Sequence, residues 1–149
     1  MSKIIEIATL EIGQGETPLN SNNSKYNKWF GLPSLPWCGM FVSWCYFKAG
    51  VPLSKIGFAK GFAGCQTAVA YFENLNQTTK NPKEGNICFF DWNLDGRYDH
   101  TGLFVKDIDG VYFESIEGNT SSTNQSNGGQ VMTRKRAYKN VIFVNPNIS

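Results

Sequence analysis

The segment Asn81-Pro82-Lys83-Glu84-Gly85 divides the chain into two kinds of periodicity. Before it, apolar residues recur every three or four positions, as they do on the buried face of a helix. After it that period disappears, and short β-branched and aromatic runs read as strands. Helices first and an antiparallel sheet afterwards describe an α+β fold. The predicted helices cover residues 2–13, with Ile4, Ile5, Ala8 and Ile12 on one side, then 24–30, a third from Cys38, and about 65–74. Predicted strands lie at 87–90, 101–106, 111–116, 130–135 and 141–144. Residues 121–129 are a polar loop between strands and no linker is visible, so 1–149 reads as one domain.

Composition narrows the function classes. The 149 residues are 41% hydrophobic and 17% charged, the balance of a globular protein large enough to bury a core unaided. A net charge of +2 is too small to argue for nucleic acid as a partner. No apolar run approaches the ~20 residues of a membrane span, so membrane insertion is not expected, and a monomer is. Met1-Ser2-Lys3-Ile4-Ile5-Glu6 is charged and amphipathic rather than a secretory signal, which predicts a protein held in a cytoplasm until released. Cys38 and Cys45 would sit about 10 Å apart along a helix, too far to bridge. With one histidine and no C-x-x-C pair, structural zinc does not fit. One reactive thiol among structural ones is the simplest assignment.

Cys38 is the candidate for that thiol. In Pro36-Trp37-Cys38-Gly39-Met40-Phe41-Val42-Ser43-Trp44-Cys45 a loop turns into a helix, with Phe41, Val42, Cys45 and Ala49 at helical spacing and Gly50 and Pro52 as the stop. Cys38 then falls in the first turn, where unpaired N–H groups and the helix dipole favour a thiolate. A small buried hydrophobe is the competing reading. A cysteine nucleophile commonly works with an imidazole, and His100 is the sole candidate. Asp109-Gly110 between Ile108 and Val111 signals a two-residue hairpin turn. That register sets Gly102 opposite Glu117 and His100 opposite Asn119, all four on one face. Glu117 then reaches His100 diagonally over a glycine, and Glu117 or Asn119 can fix the imidazole's tautomer. Taken singly, each of these polar residues could be an ordinary strand-end side chain.

Asp91, Asn93 and Asp95 occupy alternate positions followed by Gly96, with Asp99 at the ninth, matching the first half of a calcium loop. Gly102 stands where an EF-hand places its bidentate glutamate, so this is no EF-hand. A calcium site with few protein ligands and an ion-free Asx-turn loop both remain open.

These residues resemble the CHAP family, the cysteine, histidine-dependent amidohydrolases/peptidases of papain-like fold. The resemblance rests on the opening helix, Asn23-Ser24-Lys25-Tyr26-Asn27-Lys28-Trp29, the segment from Trp37 to Cys45, Gly85-Asn86-Ile87-Cys88-Phe89-Phe90-Asp91, Asp99-His100-Thr101-Gly102-Leu103 and Ile116-Glu117-Gly118-Asn119-Thr120. It implies peptidoglycan cleavage without a required cofactor, with Cys38 as nucleophile, His100 as base then acid, Glu117 orienting His100, and Asn119 assisting the imidazole. It also implies an endolysin-like protein, with amidase and endopeptidase equally open. Trp37 departs from papain-like enzymes that carry Gln near there and leaves the second oxyanion donor unassigned. Outside that class, a wall-binding module using the aromatic residues, or a calcium-dependent structural domain, are the competing expectations. The basic run Arg134-Lys135-Arg136 reads as a solvated strand face.

Overall fold

The computed structural model describes residues 1–120 and 128–147. The expected loop at 121–129 therefore lies mostly outside the described residues. Four helices precede an antiparallel sheet, a papain-like α+β arrangement: α1 (Lys3–Leu10), α2 (Lys25–Phe30), α3 (Cys38–Lys48), α4 (Cys65–Asn74), then β1 (Thr78–Thr79), β2 (Ile87–Phe90), β3 (His100–Asp107), β4 (Tyr112–Thr120), β5 (Gln130–Ala137) and β6 (Val141–Val144). The sheet order is β1-β6-β2-β3-β4-β5, so β2 and β3 are central and the hairpin β3–β4 carries the second half of the site.

Both faces of the sheet are covered. On one face Ile87, Phe89, Leu103, Ile116, Val131 and Val144 join the helices in a single core. On the other, Cys88, Phe90, Phe104, Phe113 and Phe143 form a smaller aromatic cluster. Helix α3 is buried along nearly its whole length, from Cys38 to Tyr46. Its apolar residues therefore do not mark one face against solvent, and Ala49, predicted as a buried position, is only half-buried at the C-cap.

Two expectations are corrected. Helix α1 ends at Leu10 rather than residue 13, and Ile12 is exposed. Beyond it Glu11 is drawn inward, where it accepts a hydrogen bond from the Tyr26 hydroxyl at 2.6 Å. The Asp109-Gly110 turn is a residue longer than predicted: Ile108 N–H donates to Tyr112 O, enclosing Asp109, Gly110 and Val111. Asp109 Oδ1 accepts from the Val111 and Tyr112 amides, closing this longer loop as an Asx turn. The register at the site is nevertheless the expected one. A bulge between Phe104 and Lys106 absorbs the extra residue, so that Leu103 pairs with Ile116 and Phe104 with Ser115.

Candidate active site

Cys38 is the first residue of α3, after Trp37 as N-cap with no side-chain capping bond. The Trp37 indole is turned away: it stacks on Tyr26 with centroids 5.1 Å apart and its Nε1–H donates to Glu16 Oε2 at 3.0 Å. The first-turn N–H groups of α3 therefore face the site without competition from a cap side chain. Gly118 of β4 lets the sheet come this close, since a Cβ there would fall 2.6 Å from Phe41 and 2.9 Å from Trp37.

His100 opens β3, fully buried. Its Nε2 lies 2.8 Å from Glu117 Oε1. Among the described residues its Nδ1 has no hydrogen-bond partner, although His100 and Cys38 act on one another electrostatically. The ring is stacked on Phe90 and on Trp92, with centroids 6.0 and 5.6 Å away. Gly102 is the space over which Glu117 reaches: a Cβ there would sit 2.5 Å from Glu117 Cγ. The structure thus brings Cys38, His100 and Glu117 together in the predicted order.

Asn119 lies at the end of β4, buried, with φ of 59°, where the β4–β5 register shifts between Glu117 and Thr120. The imidazole Nε2 is taken by Glu117. The sequence reading missed Arg136. Rather than a solvated residue, it is 5% exposed, its Nε donates to Glu117 Oε2 at 2.8 Å, and its Nη2 donates to Glu117 Oε1. The guanidinium also lies over Trp92, 4.6 Å from the ring centroid. Ser115 Oγ donates to Glu117 Oε2 as well. The detectable signal was a basic residue in a strand beside a buried carboxylate, and it required the β4–β5 register to read.

These contacts set the charges. Burial raises the Glu117 carboxyl, but the bonds from Arg136 and His100 outweigh it and hold the group at about 2. Burial likewise lowers His100, and its contacts with Cys38 and Glu117 overcome this and raise it to about 9. The Cys38 thiol is held well below its ordinary value by hydrogen bonding from Cys65, against burial and with the help of His100 and the Thr101 backbone N–H. A thiolate beside an imidazolium is the arrangement this produces.

In the acidic loop, carboxylate oxygens of Asp91, Asp95 and Asp99 lie within 4.8 Å of one another. Asp91 already accepts from the Asp95 and Gly96 amides, and Asn93 Nδ2 lies 3.5 Å from Asp99 Oδ2. Desolvation and repulsion from Asp95 and Asp91 raise the Asp99 carboxyl. A divalent cation would relieve that repulsion, so the donor set fits one.

Against known protein families, residues 29–119 match the CHAP domain, more than half of the chain. The chain belongs to the CHAP domain family. Membership makes it a cysteine, histidine-dependent hydrolase of the amidohydrolase/peptidase type. Among curated proteins compared one by one, none matches. Within the matched span fall Cys38, His100, Glu117 and Asn119, whereas Arg136 lies beyond it.

Proposed function

We propose that this CHAP domain is an endolysin-like peptidoglycan hydrolase that cleaves an amide bond of the cell wall through Cys38. The observation that carries the reading is the buried line from Cys38 through His100 to Glu117, with Glu117 anchored in turn by Arg136. In this mechanism the Cys38 proton already rests on His100, and the thiolate sulfur attacks the amide carbonyl. Backbone N–H groups at the start of α3 receive the developing oxyanion, His100 returns the proton to the leaving amine, and water releases the acyl-enzyme. Glu117 holds the imidazole in the tautomer that leaves Nδ1 facing the sulfur. Asn119, at the end of β4, assists from the strand end, so that Asn119→Ala costs less activity than loss of Glu117.

An apolar cleft of about 470 Å³ supports a peptide substrate. It is lined by Leu32, Leu35, Pro36, Ile56, Phe58 and Gly64, and so opens beside the residues that lead into Cys38 and Cys65. A larger cleft of about 570 Å³, along Gln14, Asn23 and Lys28, touches none of the candidate catalytic residues. The test is digestion of purified Gram-positive peptidoglycan by the protein and by Cys38→Ala, with mass spectrometry of the released fragments. Solubilisation by the parent alone is expected, and the fragment ends then separate amidase from endopeptidase. Equal digestion by Cys38→Ala would remove Cys38 from the mechanism. Binding without cutting by either protein would favour the wall-binding module.

A further inference from the structure

Cys45 and Cys88 behave as structural thiols, buried in the core with burial pushing both well above the ordinary value. Cys65 differs from them. It is the first residue of α4, as Cys38 is of α3, and the two helix starts are clamped together. Ser43 Oγ donates to Gly39 O at 2.9 Å and accepts from Phe62 N–H at 3.2 Å, fixing the chain just before α4 against the first turns of α3. Gly39 leaves no gap, since a Cβ there would meet the Phe62 ring at 2.9 Å and Ala63 O at 3.0 Å. On the other flank Gln66 Oε1 accepts from Tyr98 N–H at 2.9 Å, tying α4 to the approach to His100. Where these elements converge, Cys38 and Cys65 each lead a helix and their thiols act on one another. Both are free, and they keep 4% and 7% exposure, enough to mark the edge of the core.

We propose that Cys38 and Cys65 are a modification site, a thiol pair that a hydroperoxide converts to a reversible intramolecular disulfide, blocking the nucleophile. Bond formation depends only on the pair, and the loss of activity rests on the reading of Cys38 given above. In the first step the Cys38 thiolate attacks the O–O bond of the hydroperoxide, giving Cys38 sulfenic acid and, after protonation, an alcohol or water. The Cys65 sulfur then attacks the Cys38 sulfur. The S–O bond breaks, and the departing hydroxide takes the Cys65 proton as water. Two thiols lose two electrons, and the hydroperoxide gains them. Cys38 is the sulfur oxidised first, because its thiol is lowered by Cys65 while that of Cys65 is raised by the same contact. A disulfide needs the two sulfurs roughly 2 Å apart, and the clamp through Ser43 holds the two helix starts against each other. The disulfide also shields Cys38 from irreversible oxidation to the sulfinic acid.

The experiment treats the protein with hydrogen peroxide and follows intact mass, non-reducing peptide maps and wall digestion, before and after dithiothreitol. The expected result is loss of two hydrogens, one cross-linked peptide joining Cys38 to Cys65, and full loss of digestion that dithiothreitol restores. The Cys45→Ala/Cys88→Ala variant should give the same cross-link. Cys65→Ala should instead carry Cys38 on to the sulfinic acid, which dithiothreitol does not reverse. Absence of the Cys38–Cys65 peptide, with Cys38 advancing to sulfinic acid in the parent as well, would overturn the proposal while leaving hydrolysis intact. A cross-link that forms without any loss of digestion would retain the disulfide and overturn both its blocking role and the nucleophile assignment.

Discussion

Glu117 is the residue on which the site's electrostatics turn, because it is fully buried and shared between a base and a cation. Replacing it by Gln leaves Arg136 charged and without its carboxylate inside the protein, a change expected to cost about 3–5 kcal/mol of stability. The double variant Glu117→Gln/Arg136→Met should regain much of that stability in chemical denaturation without regaining activity. If activity returned with stability, Glu117 would serve the fold alone. Arg136→Lys keeps the charge but loses the fork that grips both carboxylate oxygens. It should lower kcat roughly tenfold to a hundredfold with KM nearly unchanged, as loss of imidazole orientation requires. The same groups set a pH window for stability. Glu117 is lowered from 4.5 to about 2, so its contribution is complete above about 4.5 and lost as pH falls through about 2. His100 is raised from 6.5 to about 9, so its contribution is complete below about 6.5 and lost as pH rises through about 9. Denaturation midpoints measured across pH should fall on both flanks, and Glu117→Gln should flatten the acid one.

At the scale of the element, the β3–β4 hairpin decides whether His100 and Glu117 meet. Gly102→Ala is its sharpest probe: the added Cβ would press on Glu117 Cγ at 2.5 Å and on Ile116 O at 3.1 Å. Glu117 has to give way, so wall digestion should drop while circular dichroism still reports a folded sheet. Unchanged activity in a folded Gly102→Ala protein would show that the diagonal contact is dispensable. The hairpin also marks the boundary of what sequence can disclose. Alternation of side chains and the Asp109-Gly110 turn placed Gly102 against Glu117 in the right register though with the wrong turn length. The longer turn and the bulge at 104–106 cancel one another, and neither has a local signature strong enough to be read. Arg136 was illegible for a related reason. Its partner lies on another strand, four residues along from the Phe113 with which Arg136 pairs, so the contact shows only once the β4–β5 register is known. A run of three basic residues looks solvated until that pairing is known.

Across the whole molecule, the site is assembled from three regions that share no local sequence logic: the start of α3, the start of α4 and the outer face of the sheet. The acidic loop joins them from the solvent side. Trp92 within it stacks on His100 and beneath Arg136, so whatever orders this loop also steadies the base. Two physical accounts of its order compete. The loop closes on its own amides, with Asp91 accepting from Asp95 and Gly96 and Asp95 from Arg97. Alternatively, a calcium ion draws Asp91, Asp95 and Asp99 together against their mutual repulsion. Thermal unfolding separates them without reference to catalysis. If calcium is part of the structure, adding it should raise Tm, a chelator should reverse the rise, and Asp95→Asn/Asp99→Asn should abolish it. If the loop closes by itself, Tm should be indifferent to calcium. The same double substitution should then raise Tm slightly, because it removes repulsion that no ion was offsetting.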